Sequence, residues 1–206
     1  MTPPAEALAH AAGAVTHAAG ALAHAAGAVD RRVSRAAPDG PDRIIPTAPD
    51  MRWVPPQRWH VTLAFLGEVD ADRIPRLEAA LGEVAATHAP LEGLRLEGAG
   101  SFRGALWLGI TPTGRHSPAD RLARAVQRAM RTSGVPLERR PWRAHLTVAR
   151  WKASPERERT AHAARAALAE YAGPEFGVTE FRLVRSVTGP QPQHTDLRIF
   201  TLAPAA

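Results

Sequence analysis

Two stretches of the chain each place a histidine two residues ahead of a threonine. His60 and Thr62 form the first pair and His145 and Thr147 the second, with apolar residues between and after them. Because side chains two apart on a β-strand point to the same face, each pair predicts a strand that presents an imidazole beside a hydroxyl. We expect the other face of the first strand to bury Val61, Leu63 and Phe65, and that of the second to bury Leu146 and Val148. An imidazole exchanges protons near neutral pH, so two such strands could carry out acid–base chemistry. Two half-buried strands whose polar residues only face water would give the same pattern.

The segments around the two motifs alternate between short strands and helices. We predict strands over 51–54, 91–99, 105–110, 176–188 and 194–202, and a turn over 98–104. Apolar residues at helical spacing predict helices over 70–88, 117–133 and 154–171. Since turn-linked strands favour antiparallel pairing, we predict an α+β fold. Its two similar lobes would each hold an antiparallel sheet with helices packed outside, and one motif strand from each lobe would line a cleft between them.

Residues 7–29 repeat a seven-residue unit rich in Ala, His and Gly. Since Ala favours helix, we predict a helical segment over residues 1–37, followed by a second domain over 38–206. The repeat contributes one thin apolar stripe: Leu8, Val15, Leu22 and Val29. Its histidines would lie about 10.5 Å apart on a helix, too far for one metal ion with ligand bonds near 2 Å.

The composition limits the possible chemistry. The formal net charge is +6, Lys152 is the only lysine among the 26 basic residues, and cysteine is absent. Disulfides, thiolate catalysis and Cys-based zinc sites are therefore excluded, and the chain fits a reducing compartment such as the cytoplasm. We find no signal peptide or membrane span. The general richness in Ala, Arg, Gly and Pro accounts for most of the positive charge, so only Arg residues near the motifs bear on function.

Three stretches in order carry a family resemblance. Residues 53–67 around the first motif, then Gly100-Ser101-Phe102, then Arg143 to Arg150 resemble the two-histidine phosphoesterase superfamily. Within it, the match is to the RNA 2′,3′-cyclic phosphodiesterases, also called 2′-5′ RNA ligase-like proteins, over about residues 51–202. The resemblance also implies a short apolar strand before the first helix. Only Met1 precedes the helix start, so we expect that strand to be missing, either because the true start lies upstream or because the protein lacks it.

The resemblance implies that the chain opens an RNA 2′,3′-cyclic phosphate to a 2′-phosphate, a reaction whose reverse is 2′-5′ ligation. One imidazole would take a proton from the attacking water and the other would give one to the leaving 3′ oxygen. The residues leave these roles open; our working hypothesis makes His60 the acid and His145 the base. The hydroxyls of Thr62 and Thr147 would donate to the phosphate oxygens, and Arg150 would add a charge-assisted bond. No metal or other cofactor is required.

Further contacts with substrate are expected around the second motif. Arg143 lies two residues ahead of His145 and would share its face, close to phosphate. Phe102 could stack on a base, as any aromatic ring can, although aromatic residues near apolar strands usually belong to the core. The same alternatives hold for Trp53, Trp59 and Trp142. We read the remaining histidines of the second domain as surface residues: His88, His116, His162 and His194.

Two classes of function remain possible from the sequence. The first is a metal-independent cyclic phosphodiesterase acting on RNA ends, or on a related small molecule such as ADP-ribose 1″,2″-cyclic phosphate. The second is a non-catalytic RNA- or nucleotide-binding module on the same scaffold. In either case the partner is RNA or a nucleotide, not a membrane, and we expect a monomer.

Overall fold

A computed structural model of the chain describes residues 12–16, 51–55, 58–102, 104–114, 116–138, 141–152, 154–187 and 193–203, the first of these ranges by its backbone. The described strands are β1 Ala12–Thr16, β2 Met51–Trp53, β3 Val61–Gly67, β4 Leu91–Phe102, β5 Ala105–Thr111, β6 His145–Trp151, β7 Ala172–Val178, β8 Glu180–Val187 and β9 Gln193–Thr201. The described α-helices are α1 Ile74–Ala86, α2 Pro118–Thr132 and α3 Pro155–Leu168, and a 3-10 helix over Ala71–Arg73 precedes α1. None of these helices is long and apolar enough to cross a membrane.

The strands form two antiparallel sheets. The four-stranded sheet has the order β3-β1-β8-β9, and the five-stranded sheet has the order β2-β6-β5-β4-β7. Helices α1 and α2 pack against each other and against the four-stranded sheet, while α3 packs against β4 and β5 of the five-stranded sheet. The predicted α+β fold with two antiparallel sheets is therefore confirmed. Each sheet contributes one motif strand, β3 or β6, and these two strands are in contact.

The helices bury the apolar faces that their sequences predict. In α2, Leu122, Val126 and Met130 are fully buried. Ser117 caps this helix, since its Oγ accepts a hydrogen bond of 3.2 Å from the main-chain N–H of Asp120, as expected for Ser at that position. The amide of Gln127, on the same helix, donates to the Leu63 carbonyl at 2.9 Å. Helix α2 is thereby fixed directly to motif strand β3.

Strand β1 corrects the prediction for the N-terminal repeat. Ala12–Thr16 form a strand between β3 and β8, where a helix was predicted. Helix propensity is a weak preference, and a place between two strands satisfies the strand's backbone groups on both sides. Strand β1 fills the position between β3 and β8, so the four-stranded sheet is continuous there. We had expected the first strand of the fold to be missing. The rest of the predicted helix and the domain boundary at residue 37 lie outside the described residues.

Two other predicted boundaries were wrong. Strand β4 runs through Phe102, so only the end of the predicted turn over 98–104 separates it from β5. Gly98, with φ +64°, marks a register shift inside β4 and does not end the strand. The strand predicted over 176–188 is two strands, β7 and β8, interrupted at Thr179. Strand β7 joins the five-stranded sheet and β8 the four-stranded sheet, so this interruption carries the chain from one lobe to the other.

Candidate active site

A β-bulge in β6 determines which side chains share the face of the second motif. Opposite β5, Trp107 pairs with Thr147 and Leu106 with Ala149, so Val148 is an extra residue on β6. A bulge of this kind changes the alternation of side chains beyond it. His145 and Thr147 are half-buried and Arg150 is exposed, whereas the residues between them are buried. Arg150 therefore lies on the same face as His145 and Thr147. In a regular strand, a residue three positions after Thr147 would lie on the opposite face.

Strand β3 repeats this arrangement. Its pairing with β1 passes from Thr62 to Ala64, which leaves Leu63 as the extra residue. Leu63 and Ala64 are both buried, and Phe65 is 67% exposed. Our expectation that Phe65 would be buried beside Leu63 was wrong, because it assumed a regular strand. Phe65 is the fifth residue after His60, as Arg150 is the fifth residue after His145, and both side chains are exposed.

The two motif histidines are held in the same way. Nδ1 of His60 lies 2.8 Å from the main-chain carbonyl oxygen of Arg58, and Nδ1 of His145 lies 2.7 Å from that of Arg143. A carbonyl oxygen can only accept, so Nδ1 carries a proton in each ring. Nε2 is then the nitrogen through which each ring can accept or donate a proton. Both rings are thus prepared for acid–base chemistry through Nε2.

Arg58 is a site residue that the sequence analysis missed. It stands two residues ahead of His60, as Arg143 stands two residues ahead of His145, and both side chains are exposed. The repeated element is therefore Arg-x-His-x-Thr. The recurrence of that five-residue pattern was the signal that could have found Arg58.

An aromatic cluster surrounds His145. Its ring makes T-shaped contacts with Phe102, at a centroid distance of 5.2 Å, and with Trp107, at 6.0 Å. The Arg143 guanidinium carbon lies 5.9 Å from the centroid of Phe102 and 5.7 Å from that of Trp107, within the range of cation–π attraction. The structure thus brings together three predicted site residues, Phe102, Arg143 and His145, with Trp107 as a further member.

Gly100 makes room for this cluster. It pairs with Trp107 across β4 and β5, and a Cβ at Gly100 would lie 2.1 Å from the Trp107 ring. The indole therefore lies directly over the glycine backbone. Any larger residue at this position would displace Trp107 and with it the packing around His145.

His194, which we predicted to be a surface residue, lies beside His60. Its side chain is exposed, yet the two ring centroids are 5.3 Å apart and the ring planes are tilted by 47°. The ring is covered on part of its surface, and this partial burial and the positive charge of Arg58 lower the pKa of His194, while Asp196 acts in the opposite direction. Asp196 also pairs with Arg182, whose Nη1 lies 2.5 Å away, which offsets part of its charge. No sequence pattern marks His194, since it belongs to the distant strand β9.

The three tryptophans predicted as candidates for stacking on a base make structural contacts within the protein. Trp59 is buried and donates through Nε1 to the Val54 carbonyl at 2.7 Å. Trp142 donates through Nε1 to the Thr62 carbonyl at 2.8 Å. Trp53 is partly buried and packs against the core. Phe102, at 43% exposure, is the stacking candidate whose ring is most accessible.

Arg150 has a basic neighbour across the sheet. It pairs with Arg52 of β2, and both side chains are exposed. Directly opposed residues in antiparallel strands have neighbouring side chains on one face. The face that carries His145 and Thr147 therefore holds several positive charges, which favour an anionic ligand. Among the described residues, no three His, Asp or Glu side chains are grouped closely enough to hold a metal ion.

Comparison with known proteins identifies the family. Residues 30–190 match the model of the 2′-5′ RNA ligase superfamily. The chain belongs to this superfamily. It is 35% identical over 154 residues to an RNA 2′,3′-cyclic phosphodiesterase of Archaeoglobus fulgidus, covering 71% of this chain and 81% of that protein.

Solved structures agree with this fold. A crystal structure of E. coli LigT in complex with 3′-AMP matches with a TM-score of 0.68 and 21% identity, covering 94% of this chain and 98% of LigT. The structure of TT0787 from Thermus thermophilus matches with a TM-score of 0.71 and 24% identity, covering 95% of this chain and 100% of that protein. The fold of this superfamily member is therefore the one shared by these proteins.

Proposed function

We propose that this superfamily member is an RNA 2′,3′-cyclic phosphodiesterase that hydrolyses the cyclic phosphate to a 2′-phosphate with two histidines and without a metal ion. The observation that supports this most is the matched pair of imidazoles. His60 and His145 follow Arg in the same pattern, and each donates Nδ1–H to the carbonyl two residues earlier. The relative of Archaeoglobus fulgidus named above bears the name of this activity.

The reaction needs one proton removed and one supplied. Water attacks phosphorus in line with the 3′ oxygen while Nε2 of His145 takes its proton. The bond between phosphorus and the 3′ oxygen breaks, and Nε2 of His60 gives its proton to that oxygen. The product is a 2′-phosphate monoester with a free 3′-hydroxyl. Exchange of protons with solvent then returns both histidines to their starting states.

The phosphate oxygens would be bound by the groups that share the faces of the two histidines. Thr62 and Thr147 donate hydrogen bonds from their hydroxyls to the non-bridging oxygens, where negative charge accumulates in the transition state. Arg150 reaches the same face because of the bulge at Val148 and supplies a charge-assisted hydrogen bond. Arg143 contacts the adjoining phosphate of the RNA, and Phe102 stacks on a base.

The substrate end of an RNA chain fits the charge of the site better than a neutral ligand does. Arg58, Arg143 and Arg150 are all exposed close to the motif residues, and backbone phosphates are the natural partners of such a group. We place the protein in the cytoplasm, as a monomer, where such RNA ends would be met.

Hydrolysis of a nucleoside 2′,3′-cyclic phosphate in the presence of EDTA tests this proposal. We expect turnover that EDTA leaves unchanged and a product that chromatography identifies as the 2′-phosphate. Formation of the 3′-phosphate would contradict the proposed geometry, and loss of turnover with EDTA would contradict metal independence. If folded protein binds oligonucleotides in a salt-dependent way but turns over neither this substrate nor ADP-ribose 1″,2″-cyclic phosphate, it is a binding module.

A further inference from the structure

His194 occupies a position beside His60 that the proposed reaction does not use. It belongs to β9, one edge of the four-stranded sheet, whereas His60 directly precedes β3 at the other edge. The ring centroids are nevertheless 5.3 Å apart. The sheet therefore curls enough to bring side chains from its two edges together at the acid–base site.

The support of His60 has a counterpart at His145. Each histidine donates Nδ1–H to a main-chain carbonyl, which fixes one edge of its ring. Each ring also packs against an aromatic ring from a distant strand: His194 lies 5.3 Å from His60, and Phe102 lies 5.2 Å from His145. A hydrogen bond at one edge still allows the imidazole to tilt about it. A second ring against its face or edge restricts that motion.

We propose that His194 is a positioning residue for His60, whose ring holds the His60 imidazole in place as Phe102 holds that of His145, and that its protonation weakens this support. The proposal rests on the proposed function, in which Nε2 of His60 transfers a proton. His194 acts through His60 and does not itself react with the phosphate.

The charges around His194 keep its ring neutral at neutral pH. Its partial burial and the positive charge of Arg58 lower its pKa, and Asp196, which raises it, is paired with Arg182. A neutral ring can pack against His60 in either protonation state of His60. An imidazolium would repel a protonated His60 a few ångströms away. The two histidines therefore take up protons in a coupled, stepwise way.

Two substitutions separate ring support from other roles. His194→Phe keeps an aromatic ring but cannot titrate, and His194→Ala removes both properties. We expect His194→Ala to lower kcat about tenfold with little change in KM, and His194→Phe to restore kcat to within about twofold of wild type, because correct orientation acts on the chemical step. His162→Ala, at an exposed position on α3, is the control and should leave kcat unchanged. A wild-type kcat in His194→Ala, or an equal loss in His194→Phe, would overturn the proposal.

A second measurement does not depend on turnover. We would follow the Cε1–H signal of His60 by NMR as the pH falls. In wild type we expect a second shift of this signal when His194 takes up its proton, and in His194→Phe a single step. A single, identical step in both proteins would overturn the coupling. If wild type showed two steps but no hydrolysis of cyclic phosphates, the contact would stand while the proposed function failed.

Discussion

The indole Nε1 of Trp142 donates a hydrogen bond of 2.8 Å to the main-chain carbonyl of Thr62. Trp142 precedes β6 of the five-stranded sheet, and Thr62 lies in β3 of the four-stranded sheet. The bond therefore joins the two lobes between the two motifs. The proposed reaction, in which both histidines act on one phosphate, needs such a connection, since a shift of about 1 Å in one lobe can slow it about 100-fold.

Trp142→Phe keeps an aromatic ring and removes this hydrogen bond. We expect the free energy of unfolding to fall by about 1–3 kcal/mol, because the partly buried Thr62 carbonyl loses its donor, and kcat to fall with it. Urea unfolding and steady-state kinetics measure the two effects. Trp53→Phe is the matched control, because within the described residues Nε1 of Trp53 has no hydrogen-bond partner. If both variants lost the same stability and the same kcat, the smaller ring and not the lost hydrogen bond would be the cause.

Arg150→Ala tests the role of the bulge in β6. Since a hydrogen bond to a charged group contributes about 1.5–3 kcal/mol, we expect kcat/KM to fall roughly 10- to 100-fold. Initial rates at low substrate concentration measure this ratio. Arg159→Ala, on the exposed face of α3, removes the same charge away from the site and should change kcat/KM less than twofold. If both substitutions had the same effect, Arg150 would contribute only through the overall field of the protein.

Gly100→Ala tests the packing beneath His145. The new methyl group would lie 2.1 Å from the Trp107 ring, so the indole must move and the protein should lose about 1–3 kcal/mol of stability through overpacking. We also expect kcat to fall as the cluster around His145 is disturbed. In Gly82→Ala, on α1, a Cβ meets no atom within 4 Å. That control should stabilise the protein by about 0.5–1 kcal/mol, as Ala does in a helix. A stable and fully active Gly100→Ala protein would contradict the role given to Trp107.

The lowered pKa of His194 predicts how stability depends on pH. The unfolded chain binds this proton at a pKa of about 6.5, and the folded protein binds it only at lower pH. Between these two values the unfolded state holds more protons, so stability decreases as pH falls. We expect wild type to lose more stability than His194→Phe between about pH 7.5 and pH 5.5 in urea unfolding. Parallel curves for the two proteins would be inconsistent with the lowered pKa.

The sequence predicted the parts of the site that depend on local spacing. His60 lies directly ahead of β3 and His145 begins β6. Each is half-buried like the Thr two residues on, as the alternation of side chains at the start of each strand predicts. Alternation fails beyond each Thr, and Phe65 was therefore predicted on the wrong face. Bulges depend on how a strand pairs with its neighbours, and no local signal in these apolar runs revealed them.

Two other features needed long-range information. Ala12–Thr16 lies within an Ala-rich repeat that favours helix, and it becomes a strand because the sheet offers it partners on both sides, so tertiary context overrides propensity. His194 reaches His60 only through the curvature of the four-stranded sheet, which the spacing of residues along the chain does not reveal.

The most direct test of the account compares wild type, His60→Ala and His145→Ala on two substrates. One is a nucleoside 2′,3′-cyclic phosphate, and the other carries sulfur in place of the bridging 3′ oxygen, a leaving group that needs no proton. We predict that each substitution lowers the rate on the oxygen substrate about 10²- to 10⁴-fold. On the sulfur substrate His60→Ala should recover most of its rate, while His145→Ala should stay impaired. Recovery by His145→Ala alone would exchange the two roles, and near-wild-type rates for both variants on the oxygen substrate would contradict the paired-histidine mechanism.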